Sequence, residues 1–203
     1  FAMTSRFDGS HVATVHEATE QMVDDAVTAG RAVSIGKRST EWGDLPQVRR
    51  LAIIEDFAAR LMARVDDLVE AEVADTGRSY WQARTFDGAR SAGLFAAYAN
   101  LARGLEARTR NFDTPNGDRA FWYTTRRPKG VIGAICPWNV PLLMACMKVA
   151  PALVMGNAAI LKPSEETPSS ATVLAEVVAQ SDIPDGAFSL IHGFGPNSAG
   201  GFL

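Results

Sequence analysis

The chain has 203 residues, of which 47% are hydrophobic and 21% charged, a balance typical of globular domains and unlike that of disordered or collagen-like chains. Its 20 basic and 23 acidic side chains leave a net charge of −3, with no basic surplus to bind nucleic acid or an anionic membrane surface. Two cysteines, Cys136 and Cys146, form no disulfide framework and favour a reducing compartment, so we expect a cytoplasmic protein.

The first half of the chain is predicted to be helical. Apolar residues recur every three or four positions over residues 15–33 and again over residues 48–69. The second of these helices is expected to end at Gly77, and a third apolar-rich helix is predicted over residues 79–103.

A β-hairpin is predicted next. Asn116-Gly117 is the dipeptide typical of a two-residue hairpin turn, and an aromatic, β-branched run follows it at residues 120–125. We expect this hairpin to protrude and to pair with a partner subunit.

The last 75 residues are poor in charge, which indicates burial. Residues 1–128 hold 17 basic and 18 acidic side chains, whereas residues 129–203 hold 3 and 5. Lys148 is the only charge in residues 131–161, but the prolines and glycines in this run divide it into pieces too short to span a membrane.

Strands and helices are predicted to alternate in this segment. Buried strands are expected at residues 131–136, 158–161 and 188–192, with helices at 141–155 and 169–180 between them. This βαβαβ order is half of a doubly wound parallel sheet, so the fold class is α/β. We therefore divide the chain into an N-terminal helical part (1–110), a hairpin (111–128) and the first half of a Rossmann-like sheet (129–203).

The first candidate site is the loop Pro137-Trp138-Asn139-Val140-Pro141, which follows the first predicted strand. Because two prolines stiffen this loop, Asn139 is suited to act as a fixed hydrogen-bond donor, such as the side-chain half of an oxyanion hole. The alternative is a structural asparagine that caps its own turn.

The second candidate site is Lys162-Pro163-Ser164-Glu165, at the end of the second predicted strand. Lys162 can donate to a ribose hydroxyl and Glu165 can accept from one, and the carboxylate would repel the 2′-phosphate of NADP. The alternative is a solvated charge pair or a helix-capping box beginning at Ser164.

The third candidate site is the segment from His192 to Gly200, after the third predicted strand. Its glycines would let backbone N–H groups approach a pyrophosphate at a helix start. It is not the dinucleotide-binding fingerprint, because Ser198 stands where that pattern has its third glycine, and it is not a Walker A loop.

The order and spacing of these motifs resemble the aldehyde dehydrogenase superfamily. The resemblance extends over the whole chain. In chain order its motifs are Asp75-Thr76-Gly77, Pro128-Lys129-Gly130-Val131-Ile132-Gly133, Pro137-Trp138-Asn139-Val140-Pro141, Pro151-Ala152-Leu153, Gly156-Asn157, Lys162-Pro163-Ser164-Glu165, Ile183-Pro184-Asp185-Gly186-Ala187-Phe188 and Gly193-Phe194-Gly195-Pro196.

The resemblance implies NAD(P)-dependent oxidation of an aldehyde to an acid, with thiolate addition to the carbonyl, hydride transfer and hydrolysis of a thioester. It implies that Asn139 stabilises the oxyanion, while the Glu165 carboxylate favours NAD over NADP. The residues that it places around the cofactor are Lys162, Ser164 and Glu165 at the adenosine ribose, Ile135, Pro137 and Trp138 along the cofactor, and Gly195, Pro196 and Ala199 near the adenine and pyrophosphate.

Two motifs, Cys136-Pro137-Trp138-Asn139 and the segment from His192 to Gly200, carry a narrower resemblance. They resemble the branch of that family that oxidises 2-hydroxymuconic and 5-carboxymethyl-2-hydroxymuconic semialdehydes. Its substrates carry a carboxylate, for which an arginine is a suitable partner. Arg90 falls at the matching helix position, although Ala89 stands where that branch usually has proline. The alternative is a plain surface arginine.

The catalytic cysteine and glutamate that the resemblance implies are not found in these 203 residues. Cys136 has no nearby histidine, lysine or arginine in sequence, and Cys146 lies mid-helix between apolar residues, so both are expected to be small buried hydrophobic residues. The histidines show no metal-ligand spacing. We therefore expect the cofactor-binding N-terminal part of a homo-oligomeric enzyme, without its catalytic domain and inactive alone. The alternative is a non-catalytic fragment that binds a nucleotide or a partner.

Overall fold

The structure, a computed structural model, describes residues 1–6, 8–35, 41–105, 107–196 and 198–203, so Asn197 of the third motif lies outside the described residues. An antiparallel ribbon of two strands opens the chain, followed by helices, a hairpin and a parallel α/β unit. The elements are β1 (Ala2–Thr4), β2 (His11–Thr14), α1 (Glu20–Ser34), α2 (Gln47–Ala63), α3 (Val65–Thr76), α4 (Tyr80–Gln82), a π-helical stretch (Ala83–Gly88), α5 (Ala89–Arg103), β3 (Thr109–Asp113), β4 (Arg119–Tyr123), β5 (Val131–Ile135), α6 (Pro141–Val154), β6 (Ala158–Lys162), α7 (Ser169–Ala179), β7 (Phe188–Leu190) and α8 (Ala199–Phe202).

The predicted α/β class is confirmed, since β5, β6 and β7 form a parallel sheet in that order. Successive side chains of the central strand β6 point to opposite faces and all are buried. Ile160 belongs to a small apolar cluster with residues of α1 and α8, whereas Ala159 and Leu161 belong to the large core that includes α6 and α7. The sheet is therefore covered by helices on both faces.

The N-terminal helices share the core of this sheet. A Cβ atom at Gly30 of α1 would lie 3.0 Å from Ala158 Cβ, so α1 packs closely on β6. On the other side, α2 packs against α5 through an edge-to-face contact of Phe57 with Phe95, whose ring centroids are 4.8 Å apart. None of the helices in the described ranges is both long enough and apolar enough to span a bilayer.

The second and third predicted helices are each interrupted. The helix predicted to end at Gly77 does end there, with Gly77 in the left-handed conformation (φ 70°), but Arg64 leaves helical geometry and separates α2 from α3. Asp66 and Asp67 in the first turn of α3 favour this new N-terminus. The third predicted helix contains the π-helical stretch, in which Gly88 packs on Val69.

The predicted hairpin is present, but its loop has three residues rather than two. Thr114 N–H donates to Asp118 O at 2.8 Å, and Gly117 N–H donates to Thr114 O at 2.9 Å. Pro115 is therefore the second residue of a four-residue turn, where its fixed φ is favourable, and Gly117 adopts a positive φ of 87°. The ribbon of β1 and β2 is an element that the sequence pattern did not predict.

Candidate functional site

The three candidate loops meet at one edge of the parallel sheet. Ile135 at the end of β5 lies opposite Lys162 at the end of β6, and Leu161 lies opposite Leu190 at the end of β7. The pairing of β5 with β6 continues one residue further, where Cys136 N–H donates to Lys162 O at 2.9 Å. In parallel sheets this carboxyl edge is where ligands bind.

The loop with Asn139 is exposed at this edge. Pro137, Trp138 and Asn139 are all exposed, and Pro141 begins α6. Within the described residues no hydrogen bond holds the Asn139 carboxamide, so this group is free to donate to a ligand. The Asn139 main-chain carbonyl does have a partner, because Arg78 Nη2 donates to it at 2.7 Å.

Lys162 is a buried cation beside a partly exposed carboxylate. The Lys162 side chain is 3% exposed and that of Glu165 is 32% exposed. Lys162 Nζ donates to Pro163 O at 3.0 Å and lies 3.4 Å from Glu165 Oε2. Ser164 Oγ accepts from Glu166 N–H at 3.3 Å, so Ser164 shapes the turn rather than facing outward.

The third loop is held by its own hydrogen bonds. Phe194 N–H donates to Ser198 Oγ at 3.1 Å, and Ser198 N–H donates to Gly195 O at 3.3 Å. Ala199 begins α8 and is buried in the cluster with Ile160, so its side chain packs the loop against the sheet. A Cβ atom at Gly195 would meet nothing within 4 Å, which leaves open space beside the loop.

Two depressions lie along the edge. The larger, of about 610 Å³, has Trp138 and Asn139 in its wall. Its other lining residues are Arg6, Asp75, Thr76, Arg78, Glu166 and Thr167. The smaller, of about 290 Å³, brings Glu165 of the second loop beside Phe194 of the third. The Asn139 carboxamide, the Lys162–Glu165 pair and the loop that contains Gly195 therefore all lie along this edge of the sheet.

Buried carboxylates behind the edge hold the helices that follow the first two loops. Glu72 Oε1 accepts from Leu142 N–H of α6 at 2.9 Å and from Ser170 Oγ of α7 at 2.6 Å. Burial raises the pKa of Glu72 to about 7. Asp75 accepts from Ser169 N–H at 2.7 Å and from its hydroxyl at 2.8 Å, and burial also raises the Asp75 pKa.

Arg78 and Asp87 form an ion pair near these carboxylates. Arg78 Nη1 lies 2.8 Å from Asp87 Oδ2, and the Asp87 side chain is 3% exposed. No sequence pattern predicts the roles of Arg78, Asp87 and Glu72. Asp75-Thr76-Gly77 is a motif of the family resemblance, but nothing local indicates that Arg78 contacts a residue 61 positions away.

The predicted substrate residue Arg90 stands apart from these groups. It is exposed on the first turn of α5, and within the described residues it forms no ion pair and lines neither depression. Whether Arg90 binds a substrate carboxylate stays a prediction.

Neither cysteine has the environment of a nucleophile. Burial raises the pKa of Cys136 to about 11 and that of Cys146 still further, and both thiols are buried. Burial also lowers the pKa of His192. No group of three potential metal ligands is found among the described histidine, cysteine and acidic residues.

Comparison with known proteins decides the family. The model of the aldehyde dehydrogenase family matches residues 1–202. The chain belongs to the aldehyde dehydrogenase family. It is 44% identical over 203 residues to the 2-aminomuconic 6-semialdehyde dehydrogenase of Pseudomonas sp., and 43% identical over 196 residues to the 2-hydroxymuconic semialdehyde dehydrogenase of Pseudomonas sp. (strain CF600). These matches cover 100% and 97% of the chain respectively, and 40% of each relative.

A solved aldehyde dehydrogenase shares the fold. The NAD⁺ complex of aldehyde dehydrogenase from Bacillus cereus superimposes with a TM-score of 0.90 at 29% identity, over all of this chain and 40% of that one. The chain thus spans about 40% of the length of the aldehyde dehydrogenases that it matches. The resemblance stated from the motifs is confirmed at the level of the family.

Proposed function

We propose that this chain is the cofactor-binding part of an enzyme that oxidises an aldehyde to a carboxylic acid with NAD. The observation that carries the proposal is the meeting of Asn139, the Lys162–Glu165 pair and the loop at Gly195 along one sheet edge, in a member of the aldehyde dehydrogenase family. The division into residues 1–110, 111–128 and 129–203 belongs to this proposal.

The residues at the edge fit a dinucleotide. Lys162 Nζ has three donor hydrogens and, in the described part of the chain, two acceptors, one of them at 3.4 Å. A ribose diol could accept from this ammonium group and donate to Glu165. Ile135, Pro137 and Trp138 would lie along the cofactor, while Ser164, Pro196 and Ala199 shape its surroundings. The open space at Gly195 would admit the adenine and pyrophosphate end.

Asn139 is proposed to stabilise the charge that develops on the aldehyde oxygen. NAD, when bound, would supply the hydride acceptor. The Asn139 carboxamide can donate a hydrogen bond to the oxyanion from a loop that is stiffened by Pro137 and Pro141, so the donor needs little reorganisation. Removing such a donor typically lowers kcat by about 10²–10³-fold.

A carboxylated semialdehyde is the proposed substrate class. Two Pseudomonas relatives are named for muconic semialdehydes, compounds that carry a carboxylate. Arg90 is exposed and unpaired within the described residues, so it could bind such a carboxylate.

The nucleophile is proposed to lie outside these 203 residues, because burial holds both thiols protonated at neutral pH. The chain alone is then expected not to oxidise aldehydes. This behaviour would also suit a non-catalytic nucleotide-binding fragment, so a turnover assay of the longer protein separates the two functions.

The hairpin is proposed to join subunits of a homo-oligomer in the cytoplasm. Both of its strands are almost entirely exposed, including the aromatic side chains of Phe112, Phe121, Trp122 and Tyr123. Such an apolar surface favours contact with a partner.

NAD binding by the protein that carries this chain tests the proposal, with calorimetric titration as the measurement. We expect binding of NAD, a loss of affinity of about 10-fold or more in Lys162→Met, and no change in Lys129→Met, whose side chain is exposed away from the edge. In Glu165→Gln the preference for NAD over NADP should fall by about 10-fold, because the repulsion of the 2′-phosphate is removed. Equal affinities of the Lys162→Met variant and the unmodified chain would contradict the assignment.

A further inference from the structure

Asn139 has a donor side chain with no hydrogen bond inside the described part of the chain. The main chain of the loop therefore sets where this side chain starts and the direction of its Cα–Cβ bond. Pro137 and Pro141 limit the backbone angles around it but do not attach the loop to the rest of the protein. A donor that is to meet a developing charge must be held to within a fraction of an ångström.

Two side chains from outside the loop bind its backbone. Glu72 Oε1 accepts from Leu142 N–H at 2.9 Å, where α6 begins. Arg78 Nη2 donates to the Asn139 carbonyl itself at 2.7 Å. The arginine thus contacts the same residue that carries the proposed oxyanion donor.

The orientation of Arg78 is itself determined by a buried group. Arg78 Nη1 lies 2.8 Å from Asp87 Oδ2, and the carboxylate is buried while the guanidinium is one-third exposed. Because the guanidinium group is planar, fixing one of its nitrogens on Asp87 fixes the direction of the other toward Asn139. Asp87 lies in the π-helical stretch, so that local deviation from α-helical geometry positions the carboxylate.

We infer that Arg78, oriented by Asp87, is a positioning residue that fixes the Asn139 peptide so that the Asn139 carboxamide meets the oxyanion. This inference rests on the proposed role of Asn139. It assigns Arg78 no contact with the aldehyde or with NAD, so its effect should depend entirely on Asn139.

The test is a double-mutant cycle in the protein that carries this chain, with NADH formation as the assay. Arg78→Ala should lower kcat by about 10- to 100-fold, as expected for a misplaced catalytic group, and should leave the KM for NAD within about 2-fold. In an Asn139→Ala background, Arg78→Ala should lower kcat by no more than a further 2-fold or so. Arg78→Lys should restore part of the loss, because lysine can still donate one hydrogen bond.

A matched control is available at Arg60, which pairs with Asp56 at 2.6 Å and donates to the Gln180 carbonyl at 3.3 Å. Arg60→Ala should leave kcat unchanged. Hydrogen–deuterium exchange of the same protein adds a readout without activity. Exchange in residues 136–144 should be faster in Arg78→Ala and unchanged in Arg60→Ala.

Three results would count against the inference. These are an unchanged kcat in Arg78→Ala, an equal loss of kcat with and without Asn139, and unchanged exchange in residues 136–144. If Asn139→Ala itself retained full kcat, the proposed function of Asn139 would fail first. Loss of activity in Asn139→Ala but not in Arg78→Ala would overturn only the inference.

Discussion

Glu72 is the buried side chain whose charge state should matter most for stability. Its Oε1 atom accepts two hydrogen bonds, whereas its Oε2 atom is buried without a partner among the described residues. Burial raises the pKa of Glu72 from an ordinary value of 4.5 to about 7. Between these values the folded protein keeps the Glu72 proton and the unfolded chain releases it, so the free energy of unfolding falls as pH rises through this window.

Glu72→Gln should remove this pH dependence. The amide can still accept from Leu142 and Ser170, and it stays neutral at every pH. Relative to the unmodified chain, the variant should be more stable at pH 8, by an amount on the order of 2 kcal/mol, and show little or no advantage at pH 5. Urea unfolding of the protein that carries this chain measures the difference at both pH values. A constant difference at both pH values would show that Glu72 does not titrate in this range.

The sequence predicts the candidate site residues near strand ends, but it does not predict the residues that hold these loops in place. Asn139, Lys162 and Glu165 follow strands that composition reveals, so their meeting at one edge could be inferred from chain order. Arg78 and Glu72 act on residues 61 and 70 positions away, and no local pattern encodes such contacts.

Among the elements, α3 connects the helices behind the candidate site. Its second half carries Glu72 and Asp75, which reach the first turns of α6 and α7. Carboxylates are favourable at helix N-termini because they accept from otherwise unpaired N–H groups and complement the helix dipole. The Asp75-Thr76-Gly77 motif therefore has a structural role, in which Gly77 ends α3 and Asp75 caps the N-terminus of α7.

Asp75→Ala should destabilise the fold by about 1–2 kcal/mol, because it leaves the Ser169 N–H and hydroxyl without their acceptor. Asp56→Ala is the control, since Asp56 and its partner Arg60 are about half exposed, and its effect should stay within about 0.5 kcal/mol. Thermal or urea unfolding of both variants of the protein that carries this chain gives the comparison. Equal stability of the two would contradict a capping role for Asp75.

The sequence predicted the βαβαβ order well because buried strands and charge-poor helices leave a clear compositional pattern. It did not predict the break at Arg64, since the apolar spacing continues across it into Leu68 and Val69. Nor did it predict the π-helical stretch at Ala83–Gly88, which depends on how Gly88 packs on Val69.

At the scale of the whole molecule, the parallel sheet has an open edge. In the described part of the chain β5 pairs only with β6, and Gly133 and Ile135 are exposed. Unpaired strand edges promote association between chains. We therefore expect the 203-residue chain, prepared alone, to self-associate or to unfold without a sharp transition.

Gly133→Lys should reduce this association, because a charge on an edge strand opposes pairing. The space allows it, since a Cβ atom at Gly133 meets only Leu203, at 3.7 Å. Light scattering after size-exclusion chromatography measures the mass of each variant. If the unmodified 203-residue chain were monomeric and unfolded cooperatively, the open edge of β5 would not cause association.

The ribbon of β1 and β2 connects the start of the chain to the candidate site. The Phe1 ring lies 5.0 Å from that of Phe194, and Arg6 forms an ion pair with Glu166 beside Glu165. For anyone preparing this protein, the position directly before Phe1 is thus an unsuitable place to attach an affinity tag or fusion partner. Bulk added there would sit over the loops proposed to hold adenosine, and a weak titration could then reflect the tag rather than the protein.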